Sequence, residues 1–101
     1  MGKAVTKIRP QPNFDLQEPG MYKVLYLNDD QTAMEFVIET LVTVFNHSET
    51  IAKDITQKVH NEGSSVVAIL PYEIAEQKGV EVTQLARTAG YPLQIKLEPV
   101  D

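Results

Sequence analysis

The chain has no cysteine, which excludes a disulfide framework, a thiolate metal centre and a cysteine nucleophile together. Cations are scarce: Lys+Arg 9 stand against Asp+Glu 14, a net charge of −5, and no basic block occurs anywhere. That excludes the electrostatic footprint of a nucleic-acid binder and points to protein partners or cationic ligands. No apolar run approaches the roughly 20 residues of a membrane span. The first ten residues, M-G-K-A-V-T-K-I-R-P, lack the apolar stretch of a signal peptide. A soluble, cytoplasmic chain without membrane contact is the expectation. Chemistry is equally thin. Ser64 and Ser65 have no Gly-flanked nucleophile elbow, and no phosphate loop or metal set accompanies the acids. A non-enzyme without cofactor or metal is expected.

What is present is 101 residues with 43% hydrophobic content, enough for one small domain with a thin core. Residues 1–20 hold Pro10, Pro12, Pro19 and Gly20 among scattered apolar residues, a composition expected for a mobile N-terminal extension. The core is expected over 21–101. Residues 21–27, M-Y-K-V-L-Y-L, read as a strand. Thr32 and Glu35 have the spacing of a capping box, with Thr32 at the N-cap. Met34, Val37, Ile38, Leu41, Val42 and Phe45 then recur at helical spacing. Asn46-His47-Ser48 breaks the pattern, and Ser48 is placed to cap a second helix. Its stripe is Ile51, Ile55 and Val59, and its stop is Gly63. Residues 66–70 read as a short buried strand. A third helix is expected over 71–89 with Ala75, Val82, Leu85 and Ala86 inward and Gly79 available for close packing. Residues 93–98 alternate as a half-buried strand. The order β-α-α-β-α-β specifies an α/β (α+β) domain: a three-stranded antiparallel sheet with three helices packed on one face.

Three features can carry function, and each also has a plain structural reading. Asn28-Asp29-Asp30 is either strand-to-helix punctuation or a cation site. It lacks the alternating ligands of a calcium loop, whereas an organic ammonium suits an amide beside carboxylates. His60, four residues after Thr56, is either a helix-end partner or a further acceptor for an ammonium. Met34, Val37, Thr56 and Val59 are either plain core or the wall of an apolar cavity. Such a cavity, rimmed by Asn28, the aspartates and His60, would take a side chain attached to a free α-amine.

The stretch M-Y-K-V-L-Y-L-N-D-D-Q-T-A-M-E-F-V, followed by K-V-H-N-E-G and E-I-A-E-Q-K, closely resembles the ClpS family of bacterial N-end-rule adaptors. The resemblance runs from Met21 to Glu98 with similar spacing throughout. It implies binding of proteins that begin with Phe, Tyr, Trp or Leu, and their delivery to a ClpA- or ClpC-type AAA+ unfoldase that feeds ClpP. Asn28, Asp30 and His60 would contact the α-ammonium, with Asp29 adjacent. Thr32, Met34, Val37, Val59 and Leu93 would line the side-chain pocket. Glu73, Glu76 and Lys78 would dock the unfoldase N-terminal domain, with the N-terminal extension engaging it during delivery and the adaptor itself a monomer. The family commonly carries Met at the position held by Thr56, so a wider, wetter wall and an altered ranking of first residues are implied. Gln31 and Ala33 also depart from the usual aromatic and Pro, as in a divergent second copy. A regulator that docks on the unfoldase without binding N-degrons is the alternative.

Overall fold

A computed structural model describes residues 20–101. The reading of 1–20 as a mobile extension lies, Gly20 apart, outside the described residues. Three strands and three helices follow in the expected order: β1 (Met21–Leu27), α1 (Met34–Thr43), α2 (Glu49–Glu62), β2 (Ser64–Pro71), α3 (Tyr72–Thr88) and β3 (Gln94–Pro99). The sheet is antiparallel with order β2-β1-β3, so β1 is central. Its alternation places Val24 and Tyr26 in the core, where both are fully buried. Leu41, Ala52, Val59, Ala75, Val82, Ala86 and Leu93 close over them from the helices and the last connection.

The sequence signals that set helix ends are mostly local chemistry. Ser48 caps α2 by accepting from the Ile51 N–H at 3.2 Å. Gly63 ends α2 in a left-handed conformation, φ 92°, which a side chain would strain. Asn46 also adopts positive φ, 61°, in the turn between α1 and α2. That turn is fastened to the sheet: His47 Nε2 donates to the Val67 carbonyl at 2.7 Å, at the register shift where Val67 has no partner on β1.

Several expectations are corrected. The N-cap of α1 is Ala33, with no side-chain cap bond, so Thr32 and Glu35 form no capping box. Asp29 accepts from the Thr32 N–H, the donor that Glu35 would take in a capping box, and from the Thr32 hydroxyl as well. Residues 66–70 are no buried strand: β2 is longer and lies at a sheet edge, leaving Val66 and Ile69 exposed. Ile51 faces solvent, because α2 buries the row Ala52, Thr56 and Val59. Leu85 is exposed for the same reason, beside the small-residue row Ala75, Gly79, Val82 and Ala86. Gly79 is buried but not obligatory: a Cβ there would meet Ile95 Cγ2 at 3.5 Å, an ordinary contact. Gly79→Ala is therefore expected to stabilise the fold by about 0.5–1 kcal/mol through helix propensity, read as a higher urea midpoint.

One buried polar pair ties β1 to α1. Thr40 Oγ1 donates to the Val37 carbonyl at 2.8 Å, so it accepts from Tyr26 Oη, also at 2.8 Å. Burial pushes the Tyr26 phenol well above its usual pKa, against the smaller downward pull of the Thr40 bond. Thr40→Val leaves that hydroxyl without a partner and should cost about 1–3 kcal/mol in urea unfolding. Adding Tyr26→Phe should restore much of the loss, since both polar groups are then gone.

Candidate functional site

The site begins where β1 ends. The Asn28 N–H donates to the Gly63 carbonyl at 2.8 Å, so the residue after the strand is tied to the residue after α2. That single bond brings the acidic turn beside His60, which lies 3 positions before Gly63. Between them is a cavity of about 40 Å³ lined by Leu27, Asn28, Asp29, Thr32, Met34, Val37, Thr56, Val59, His60 and Leu93. Of its polar members, Asn28 and His60 are exposed at the mouth and Asp29 and Thr32 are half-buried. Val37, Val59 and Leu93 are buried and form an apolar interior, together with the buried Thr56. The i, i+4 relation of Thr56 and His60 places one in the wall and the other at the rim of the same opening.

The structure therefore brings together nearly all of the expected site residues. Asp30 is the exception among the amine-binding candidates: it is exposed on the turn and does not line the cavity. Leu27 lines the cavity although it was not among the expected lining residues. As the last residue of a strand that leads into the acidic turn, it was findable from its place in the sequence.

Asp29 is the organiser of the turn. Its Oδ1 accepts from the Gln31 N–H at 2.8 Å and the Thr32 N–H at 2.7 Å, and its Oδ2 accepts from the Thr32 hydroxyl at 2.8 Å. Desolvation pushes this carboxyl up, but those bonds and the positive charge of Arg87 outweigh it, holding the pKa below the ordinary aspartate value. Arg87 also shapes the wall: one guanidinium nitrogen donates to the Tyr91 carbonyl at 2.9 Å and the Leu93 carbonyl at 2.8 Å. It fixes the connection from α3 to β3 and so positions Leu93 in the cavity wall. Nothing in the sequence pattern marked Arg87, because its partners are backbone carbonyls.

Thr56 is less open than its polarity suggested. It is 3% exposed, and its hydroxyl donates to the Ala52 carbonyl at 2.8 Å. The hydroxyl proton is thus committed within α2.

The three docking candidates all lie on α3, two of them exposed and Lys78 half-buried. Glu73 and Glu76 are exposed on the first turns of α3, where Glu76 accepts from the Tyr72 hydroxyl at 3.1 Å. Lys78 instead turns inward, donating to the Val44 carbonyl at 2.8 Å and lying 5.9 Å from the Phe45 ring centroid. It satisfies an end carbonyl of α1 and staples α3 to it. Lys78→Met should lower stability by about 1–3 kcal/mol, as a charge-assisted bond to a helix end is lost, and urea unfolding reads it directly.

Fold and cavity together define a small α+β domain with a lined pocket and no catalytic constellation among the described residues. The family model described as "ATP-dependent Clp protease adaptor protein ClpS" matches residues 17–96. The chain belongs to the ClpS family. It is 47% identical over 95 residues to the ClpS adapter protein of Nautilia profundicola, covering 94% of this chain and 98% of that one. It is 49% identical over 83 residues to that of Helicobacter hepaticus, covering 82% and 84%. Among solved structures it is similar to Agrobacterium tumefaciens ClpS2 bound to L-phenylalaninamide, with a TM-score of 0.78 and 43% identity over 81% of this chain and 99% of that one.

Proposed function

We propose that this chain is a non-catalytic adaptor for proteins bearing an N-terminal Phe, Tyr, Trp or Leu. The observation that carries the reading is the cavity itself, polar at its mouth and apolar within. The α-ammonium donates to the Asn28 side chain and to His60, inside the negative field of Asp29 and Asp30. The first side chain enters between Met34, Val37, Thr56, Val59 and Leu93, with Thr32 and Leu27 completing the wall. The ligand of the Agrobacterium relative, an amino-acid amide with a phenyl side chain and a free amine, supports this chemistry.

A cavity of about 40 Å³ is smaller than a phenyl ring needs, which is on the order of 150 Å³ for a buried benzene. Entry therefore requires a wall to move. Met34 stands at the rim, 39% exposed, and its three rotatable bonds make it the softest member of the lining.

Delivery is to a ClpA- or ClpC-type unfoldase in the cytoplasm, by a monomeric adaptor. Glu73 and Glu76 present the docking carboxylates, and Lys78 contributes by holding α3 against α1. The test has two arms. A peptide beginning with Phe should bind saturably, and a folded reporter beginning with Phe should be degraded by unfoldase and ClpP faster when the protein is added. Failure of peptide binding with intact inhibition of the unfoldase would leave only a regulator of that machine.

A further inference from the structure

A second hollow, of about 410 Å³, lies along the outer side of α1 and the start of α2. Its apolar floor is Ile38 and Val42, one helical turn apart and half-buried. Its rim carries Glu35, Glu39 and Glu49 against a single cation, Lys53. Lys53 Nζ is 3.8 Å from Glu49, so that pair is matched. Glu35 and Glu39 form no ion pair among the described residues. The groove thus offers two apolar contacts flanked by excess negative charge.

The chain itself contains a segment of the complementary kind. Residues 3–9 read K-A-V-T-K-I-R, with cations Lys3, Lys7 and Arg9 around apolar Val5 and Ile8. They hold three of the 9 Lys and Arg in the whole chain, and no acid occurs before Asp15. Residues 10–19 join this segment to the domain and can span at most about 33–36 Å. A domain of this size has a radius of gyration of about 12 Å, so the connection is long enough to reach across it.

We propose that residues 3–9 dock in this groove, Val5 and Ile8 on Ile38 and Val42, with the cations facing Glu35 and Glu39. The docking does not depend on the proposed function. Its location has a consequence all the same: α1 would be held from outside by the segment while Met34 and Val37 line the cavity on the same helix.

The absence of cysteine makes the test direct, because Thr6→Cys creates one spin-label site on the full chain. At low salt, the amide signals of Ile38, Glu39, Val42 and Lys53 should lose at least half their intensity to the nitroxide. They should recover at about 0.5 M salt, where the Debye length is only a few ångströms. They should also recover in the exposed double variant Glu35→Lys/Glu39→Lys, whose unchanged remaining amide spectrum shows that it folds. Uniform broadening of all exposed amides, or none at the groove, overturns the proposal. So does broadening that survives charge reversal. Broadening of an unlabelled chain mixed with a spin-labelled one assigns the groove to a second copy and also overturns it.

Discussion

A peptide that begins with Phe should lose about a hundredfold in affinity when its amine is acetylated. The free amine at neutral pH is an ammonium with three donors, and charge-assisted bonds contribute about 1.5–3 kcal/mol each. Two such bonds, to Asn28 and His60 at the mouth, reduced by the ordering of the chain end, leave roughly 3 kcal/mol, or two decades in Kd. Acetylation removes the charge and the donors while leaving the phenyl ring unchanged. Titration calorimetry with the two peptides reads the ratio. The same reasoning fixes a pH dependence: the α-amine titrates near about 8, so affinity should fall as pH rises through that value. Phe→Ala at position one tests the other half of the site, since it forfeits about 1.5–3 kcal/mol of side-chain burial. A peptide bearing both changes should not bind measurably.

Asp29→Ala should be the most damaging single change in the turn, for stability and affinity together. Three hydrogen bonds converge on that carboxylate, from two backbone N–H groups and the Thr32 hydroxyl. They are what turns the chain from β1 into α1 with Asn28 held at the cavity mouth. Their loss should cost about 2–3 kcal/mol of unfolding free energy and at least tenfold in peptide affinity. Asp29→Asn keeps a side-chain acceptor for the backbone N–H groups and should recover part of both. The sign with pH follows from the depressed pKa. Stability from this group is fully present above the unfolded-state value near about 4 and is lost as pH falls through the folded value. Wild-type unfolding midpoints should therefore drop more steeply in acid than those of Asp29→Asn, whose side chain does not titrate.

Much of this was legible in the sequence because the signals were local. Ser48 and Gly63 mark the ends of α2 by chemistry that needs no tertiary partner, and both act as expected. Hydrophobic spacing located all six elements, and the spacing of Thr56 to His60 placed both at the cavity. Misjudgements arose where several partners compete. Thr32 and Glu35 had the spacing of a capping box, yet Asp29 took the Thr32 N–H that Glu35 would have accepted, and the Thr32 hydroxyl with it. Ile51 and Leu85 looked buried because they fall at helical spacing with other apolar residues, whereas the rows that are buried are the smaller Ala52–Thr56 and Ala75–Gly79–Val82–Ala86. The roles of Arg87 and Lys78 were invisible, since each donates to backbone carbonyls distant or irregular in sequence. The resemblance marked Lys78 only as a docking residue, and its bond to the end of α1 comes from the fold.

Where the chain end sits on the domain can be mapped residue by residue. Adding the Phe-initiated peptide to isotopically labelled protein should shift the amide signals of Asn28, Val37, Val59, His60 and Leu93 together, with one common saturation curve. The acetylated twin at the same concentration should leave them in place. Saturable shifts confined to the outer side of α1 or the exposed edge of β2, or the same footprint from both peptides, would show that no pocket between the acidic turn and His60 reads a free amine.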